Sequence, residues 1–207
     1  MSPIAVLDYG LGNLRSISRA VERAGGQALV TTDPDTAASA DALLLPGVGS
    51  FGTCMRNLRA GGFEPVIREA VEAGRPVLGV CLGLQILFEG SEEADEPGLG
   101  ILGGVVRRLP GAITVPHIGW NEVAWTGAHR LVPSASAGAA ERYYFVHSYA
   151  APADGPGVVG VTEHGRPFAA AVAHGSVFAT QFHPEKSGRA GLELYGAFVR
   201  QVEGVAA

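Results

Sequence analysis

In the N-terminal part of this chain, short apolar runs alternate with amphipathic stretches of helical period. Residues 4–8, 27–31, 42–45 and 76–80 are the apolar runs. Each is too short for a stable helix and reads as a strand, residues 4–8 as a buried one. Between the first two, residues 13–24 place Leu14, Ile17, Ala20, Val21 and Ala24 on one helical face, and Gly25-Gly26 stops the helix. A helical region follows at 55–73, interrupted near Gly61-Gly62, and another helix is expected at 82–88. Strand and helix in this rhythm require right-handed crossovers and a parallel sheet with helices on both faces.

Beyond Pro97 the pattern changes to strand-like runs at 101–108, 114–116, 143–146, 158–162, 168–173 and 177–181, joined by Gly, Pro and Asn turns. That predicts an antiparallel or mixed extension of the sheet. Residues 191–202 predict a closing helix, and 134–140 a loop of small residues. The expected architecture is α/β and three layers deep: a mostly parallel central sheet, helices on both faces and a mixed extension. With 207 residues, one domain over 1–207 is expected.

Composition narrows the function. At 47% hydrophobic and 17% charged residues, the chain has the makings of a core that a disordered protein lacks. A net charge of −5 argues against a nucleic-acid partner. No apolar run spans a bilayer, and the start has no basic leader, so a cytoplasmic protein without a membrane partner is expected. Two cysteines make neither a disulfide framework nor a thiolate zinc site, so no metal and no cofactor are expected.

One cysteine stands in a special place. Gly79-Val80-Cys81-Leu82-Gly83 joins an apolar strand to an apolar helix, the cysteine form of a nucleophile elbow. Side chains at Gly79 and Gly83 would obstruct so sharp a turn. The turn lifts the Cys81 sulfur to the carboxyl edge of the sheet, where open α/β folds bind ligands. It also sets the thiol at a helix N-terminus, which favours the thiolate, and aims the Leu82 N–H at an oxyanion forming beside the sulfur. Cys54, without such flanks, reads as core filler.

A thiol nucleophile needs a histidine, itself oriented by a carboxylate. His183 ends the apolar run Val177–Gln181-Phe182 and is followed by Pro184-Glu185. In extended backbone, Glu185 would share a side with His183 and fix its tautomer. The other five histidines lack such a neighbour. Lys186, which follows, is the sole lysine among 15 Lys and Arg residues.

Together, Gly79-Val80-Cys81-Leu82-Gly83-Leu84-Gln85 and Gln181-Phe182-His183-Pro184-Glu185 resemble the class I (triad-type) glutamine amidotransferases. Within that family, Leu7-Asp8-Tyr9-Gly10, Pro46-Gly47-Val48-Gly49, Pro116-His117-Ile118-Gly119-Trp120-Asn121 and Tyr143-Tyr144-Phe145-Val146-His147-Ser148-Tyr149 resemble the glutaminase subunits of imidazole glycerol phosphate synthases, which serve histidine biosynthesis. The resemblance implies a flavodoxin-like fold and the hydrolysis of glutamine through a thioester. Cys81 would be the nucleophile, His183 the acid and base, and Glu185 its orienting group. Leu82 with the Gly47, Val48 and Gly49 loop would form the oxyanion hole. Gln85, Gly83, Ser148 and Tyr149 would bind glutamine. A cyclase subunit would complete a heterodimer and take the ammonia. Asp8, Asn13, His117, Trp120, Asn121, Tyr144 and Lys186 would form the rim that meets it. Open alternatives are a glutaminase for another acceptor and a cysteine hydrolase of the same fold.

Overall fold

Alternate residues of the N-terminal strands face two different cores, and this alternation makes the three layers. The structure is a computed structural model and describes residues 2–111, 113–126, 129–132 and 140–204. In β1 (Pro3–Leu7), Ala5 and Leu7 join the core beneath α3 (Phe51–Ala60) and α4 (Phe63–Glu72). Ile4 and Val6 point the other way, into the core beneath α1 (Leu14–Arg23) and α6 (Gly188–Val202). β3 (Ala42–Leu45) divides in the same manner, Leu43 and Leu45 against Ala42 and Leu44. A strand that must bury both faces has no position left for a polar side chain.

The remaining strands of the large sheet are β2 (Gln27–Thr31), β4 (Val77–Val80), β7 (His117–Trp125), β8 (Ala140–His147), β10 (Val158–Glu163), β11 (Pro167–His174) and β12 (Val177–Thr180). The nine run in the order β2-β1-β3-β4-β12-β11-β10-β7-β8. From β2 to β12 every pairing is parallel, and from β12 to β8 every pairing is antiparallel. A small sheet of β5 (Gly90–Ser91), β6 (Val105–Arg108) and β9 (Tyr149–Ala150) sits apart from it. Among the described residues no helix is long and apolar enough to cross a membrane.

Several local expectations need correction. The helical region expected from 55 begins at Phe51 and is two helices, with Gly62 in left-handed backbone between them. An unexpected short helix, α2 (Pro34–Ala38), is started by the Asp33 carboxylate accepting from the Asp35 and Thr36 N–H groups. α5 (Leu82–Gln85) stops short of Phe88 because the carbonyls of Ile86, Leu87 and Phe88 are taken by the N–H groups of Leu99, Leu102 and Gly100. The same bonding keeps 101–104 out of a strand, so only Val105–Arg108 is extended ladder. Residues 114–116 are not a strand either: Pro116 has no N–H for a ladder, and β7 starts at His117. The full length of β7 was not anticipated, because Gly119 and Asn121 interrupt its apolar alternation. Of the loop expected at 134–140, residues 134–139 lie outside the described residues, and Ala140 opens β8.

The carboxyl ends of β1, β3, β4 and β12 share one edge, with Leu44 beside Leu78 and Val80 beside Thr180. The elbow after β4 is packed into that edge with no space left over. A Cβ on Gly79 would stand 2.6 Å from the Gly83 carbonyl oxygen, and one on Gly47 would stand 2.6 Å from the Leu82 Cβ. A Cβ on Gly83 would run into the Leu45 backbone carbonyl. Backbone offers no rotamer escape, so Gly83→Ala is expected to cost about 3 kcal/mol. A urea titration followed by circular dichroism measures this; a loss below about 1 kcal/mol would show that the turn can open.

Candidate active site

Cys81 is the only non-glycine residue with positive φ among the described residues, at φ 56° and ψ −107°. Such backbone costs on the order of 1–3 kcal/mol and persists only when its surroundings enforce it. Here the ladder does so from one side, through the Cys81 N–H donated to the Thr180 carbonyl at 2.7 Å. The close packing of Gly79 on Gly83 does so from the other.

Two residues beyond Thr180's neighbour Gln181, His183 reaches the same edge. Its N–H donates to the Tyr144 carbonyl of β8 at 2.9 Å, and its carbonyl accepts from the Ser187 hydroxyl at 2.6 Å. The Tyr144 N–H in turn donates to that hydroxyl at 3.0 Å. Ser187 thus ties the histidine to the strand beside it. Nδ1 of His183 lies 2.8 Å from Oε1 of Glu185, and both side chains are buried. The backbone between them is not extended, as the sequence suggested: Pro184–Lys186 is a single 3-10 turn that swings the carboxylate back under the ring. The carboxylate only accepts, so Nδ1 carries the proton and Nε2 is the nitrogen turned away from Glu185. Nε2 is buried without a hydrogen-bond partner among the described residues. Burial alone would lower the His183 pKa, yet the charges of the Cys81 sulfur and the Glu185 carboxylate outweigh it and hold the ring well above the ordinary imidazole range.

A cleft of about 410 Å³ opens over this pair. Val48, Gly49, Leu82, Gln85, Ser148, Tyr149 and Lys186 all line it, as do Cys81 and His183. Gly47 and Gly83 do not: Gly47 is pressed beneath the loop against Leu82, and Gly83 against Leu45, so their part is steric. Gln85 is not on an exposed helix face but buried, its Nε2 donating to the Tyr149 carbonyl at 2.9 Å and to Gln181 Oε1 at 3.0 Å. Glu93 also lines the cleft and accepts the Phe51 N–H at 2.7 Å. Sequence reasoning missed Glu93, one of several acidic residues in its stretch, and Ser187, which follows the histidine motif; Gln181 stood in that motif without a role of its own.

The expected rim residues separate into two sets, because β7 alternates. Ile118 and Trp120 face outward, at 60% and 50% exposure. Trp120 meets Tyr144 edge to face at 6.2 Å, and the Lys186 ammonium sits 5.6 Å from the Tyr144 ring centre. His117 and Asn121 point the opposite way, so the expectation that His117 is a rim residue is corrected. It is buried, stacked between Phe145 and His164. Asn121 donates to the Glu163 carbonyl at 2.8 Å. Asp8 accepts the Gly10 N–H in the turn after β1, and Asn13 precedes α1. Neither lines the cleft, though both stand at its edge of the sheet. Cys54 is core, and burial pushes its thiol up to about 12.

His117 Nδ1 lies 3.0 Å from His147 Nε2, and His147 Nδ1 lies 2.9 Å from the Tyr149 carbonyl. The carbonyl only accepts, so His147 carries a proton on Nδ1, and with both rings neutral His117 donates its own Nδ1–H to His147 Nε2. Burial lowers His117 to about 4, helped by the charge of His164. Burial lowers His147 to about 3, against the pull of the Tyr149 carbonyl and with the charges of His117, His164 and His183.

Set against known proteins, the chain is matched over residues 5–201 by the family model described as glutamine amidotransferase class-I. The imidazole glycerol phosphate synthase subunit HisH of Moorella thermoacetica is 46% identical over 97% of each chain. That of Halobacterium salinarum is 48% identical over 95% of this chain and 92% of its own. The fold also resembles a crystal structure of a glutamine amidotransferase (TM-score 0.74, 24% identity, 98% of this chain and 99% of that one). It resembles the Trypanosoma brucei CTPS glutaminase domain with bound acivicin to the same degree (TM-score 0.74, 17% identity, 100% and 96%).

The two neutral histidines set an acid limit. Their pKa values in the fold lie below the unfolded value of about 6.5, so the unfolded chain binds more protons between them. The stability they contribute is complete above about pH 6.5 and is lost as the pH falls toward 4. His183, raised in the fold, opposes the trend only near pH 7, where the unfolded imidazole is still largely neutral; below about pH 6 it is mostly protonated in both states. The urea midpoint is therefore expected to fall steadily from pH 6 to pH 4.5; a flat profile would overturn the neutral pair.

Proposed function

The chain belongs to the class-I glutamine amidotransferases, in the family of the imidazole glycerol phosphate synthase HisH subunits, and from that premise we propose a mechanism for its glutaminase reaction. The observation that carries it is the Cys81 elbow facing a histidine whose tautomer Glu185 fixes. The Cys81 sulfur attacks the side-chain carboxamide carbon of glutamine. The oxyanion is met by the Leu82 N–H at the start of α5 and by the backbone of the Val48–Gly49 loop across the cleft. As the C–N bond breaks, the His183 imidazolium gives its Nε2 proton to the leaving ammonia, and a thioester remains. Water then adds to the thioester while Nε2 takes its proton, and glutamate leaves from a regenerated thiol. Glutamine and water enter, and glutamate and ammonia leave.

The cleft's other walls suit the amino-acid end of the substrate. Glu93 offers a carboxylate to the ammonium, and the Ser148–Tyr149 backbone and Gln85 offer the polar groups around it. Residues 1–207 act as one domain in this reading. Ammonia set free in water is lost to protonation, so the product is passed on. We place the cyclase subunit of the synthase over the rim of Ile118, Trp120, Tyr144 and Lys186, an apolar and aromatic surface beside the cleft. The two chains form a heterodimer in the cytoplasm.

Cys81→Ala is expected to abolish glutamine-dependent synthesis by the complex of the two chains and to leave ammonia-dependent synthesis intact. Retained glutamine turnover would overturn the triad. Glu185→Gln is expected to lower kcat about a hundredfold or more, at a melting temperature near that of the parent, because the tautomer of His183 is no longer imposed. A steady-state assay with a thermal scan on the same sample checks both halves.

A further inference from the structure

Behind the cleft lies a buried amide that the reaction scheme does not use. Gln181 follows β12 directly, is wholly buried, and touches two residues of the site at once. Its Oε1 accepts from Gln85 Nε2 at 3.0 Å, and its Nε2 lies 3.7 Å from the Cys81 sulfur. The direction of this pair is forced. The Tyr149 carbonyl only accepts, so the Gln85 atom facing it is nitrogen. The same nitrogen meets Gln181, so the Gln181 atom facing Gln85 is oxygen. The atom that faces the sulfur is then N–H. The His147 Nδ1–H, donated to the same Tyr149 carbonyl, holds the far end of the chain.

We propose that Gln181 is a positioning residue for the nucleophile: its amide N–H, aimed by Gln85, holds the Cys81 sulfur and favours its anionic form. This deepens the glutaminase reading and rests on it for its purpose, though not for its test. A single buried amide pair would then orient both the substrate wall at Gln85 and the attacking atom. The sulfur's other neighbour, the Val146 carbonyl at 3.9 Å, can only accept from it, so Gln181 is the amide donor that steadies a negative sulfur before substrate arrives.

Alkylation of Cys81 by iodoacetamide reads the sulfur without needing glutamine. The chain is alkylated from pH 5 to 10, with Cys81→Ala giving the background from Cys54. Charged and titratable groups around the sulfur are His183 with Glu185 behind it, Lys186 from the same turn, Glu93 across the cleft, His147 from β8 and the Cys54 thiol of α3, and all are unchanged in the variants. Gln181→Met keeps the side-chain volume and removes the donor. It is expected to slow alkylation at pH 7 about tenfold and to move the profile's midpoint up by about one pH unit. Gln181→Glu keeps an acceptor toward Gln85 and is expected to slow alkylation at least as much. Should either variant be unstable by thermal scan, the other carries the test. Folded variants with the parent's rate and midpoint would overturn the proposal, while loss of glutamine turnover with unchanged alkylation would assign Gln181 to the substrate wall alone and overturn it equally.

Discussion

The pairing of β4 with β12 is the contact on which the site depends. The two strands are about a hundred residues apart in sequence, yet they lie parallel and in register, with Val80 opposite Thr180. Each delivers its reactive residue just past its carboxyl end: Cys81 in one step, His183 in three. The last rung, the Cys81 N–H on the Thr180 carbonyl, fixes the height of the sulfur relative to the imidazole. A slip of one residue would turn every side chain of a strand to the other core. Register is therefore guarded by the burial of both faces, and the catalytic geometry inherits that guard without any contact made for it alone.

β12 also marks where the sheet changes character. On one side its neighbour is parallel and covered by helices on both faces; on the other, β11 begins the antiparallel run to β8. The parallel half supplies the elbow, and the antiparallel half supplies the wall through Val146 and His147, which Ser148 and β9 of the small sheet continue. Residues Ser148 and Tyr149 are held from both sheets at once, since the Leu109 N–H takes the Ser148 carbonyl while Gln85 and His147 take that of Tyr149. The substrate wall is thus backbone whose acceptors are already committed, which leaves it little freedom to reorganise during reaction.

Much of this was legible in the sequence, for a physical reason. Buried strands must be apolar throughout, and a turn without space must be glycine, so β1, β3, β4 and the Gly79 and Gly83 flanks of Cys81 announce themselves. What escaped reading are features decided by partners distant in the chain. α5 ends where it does because residues 99–102 claim its carbonyls. β7 is hidden by Gly119 and Asn121, and only its ladder with β8 reveals that His117 faces inward and Trp120 outward. Glu185 reaches His183 through a 3-10 turn, a conformation that Pro184 permits and that the tripeptide alone does not distinguish from an extended one. The amide of Gln181 looked like one more residue of an apolar run, since nothing local tells that Gln85 waits opposite.

The resting arrangement of the triad carries a further consequence. The sulfur has two contacts of the length sulfur makes, to the Val146 carbonyl at 3.9 Å and the Gln181 amide at 3.7 Å, and Nε2 of His183 has no full hydrogen bond among the described residues. Glu185, by contrast, grips Nδ1 at a full hydrogen bond of 2.8 Å. One half of the relay is therefore rigid and the other half is open. The histidine is held by its carboxylate and by Ser187, so it cannot swing far, and the Cys81 backbone is locked by its bond to Thr180. Catalytic hydrogen bonds commonly close only around bound substrate. In this molecule Gln85, bonded to both the Tyr149 carbonyl and Gln181, links the wall of the cleft to the amide beside the sulfur.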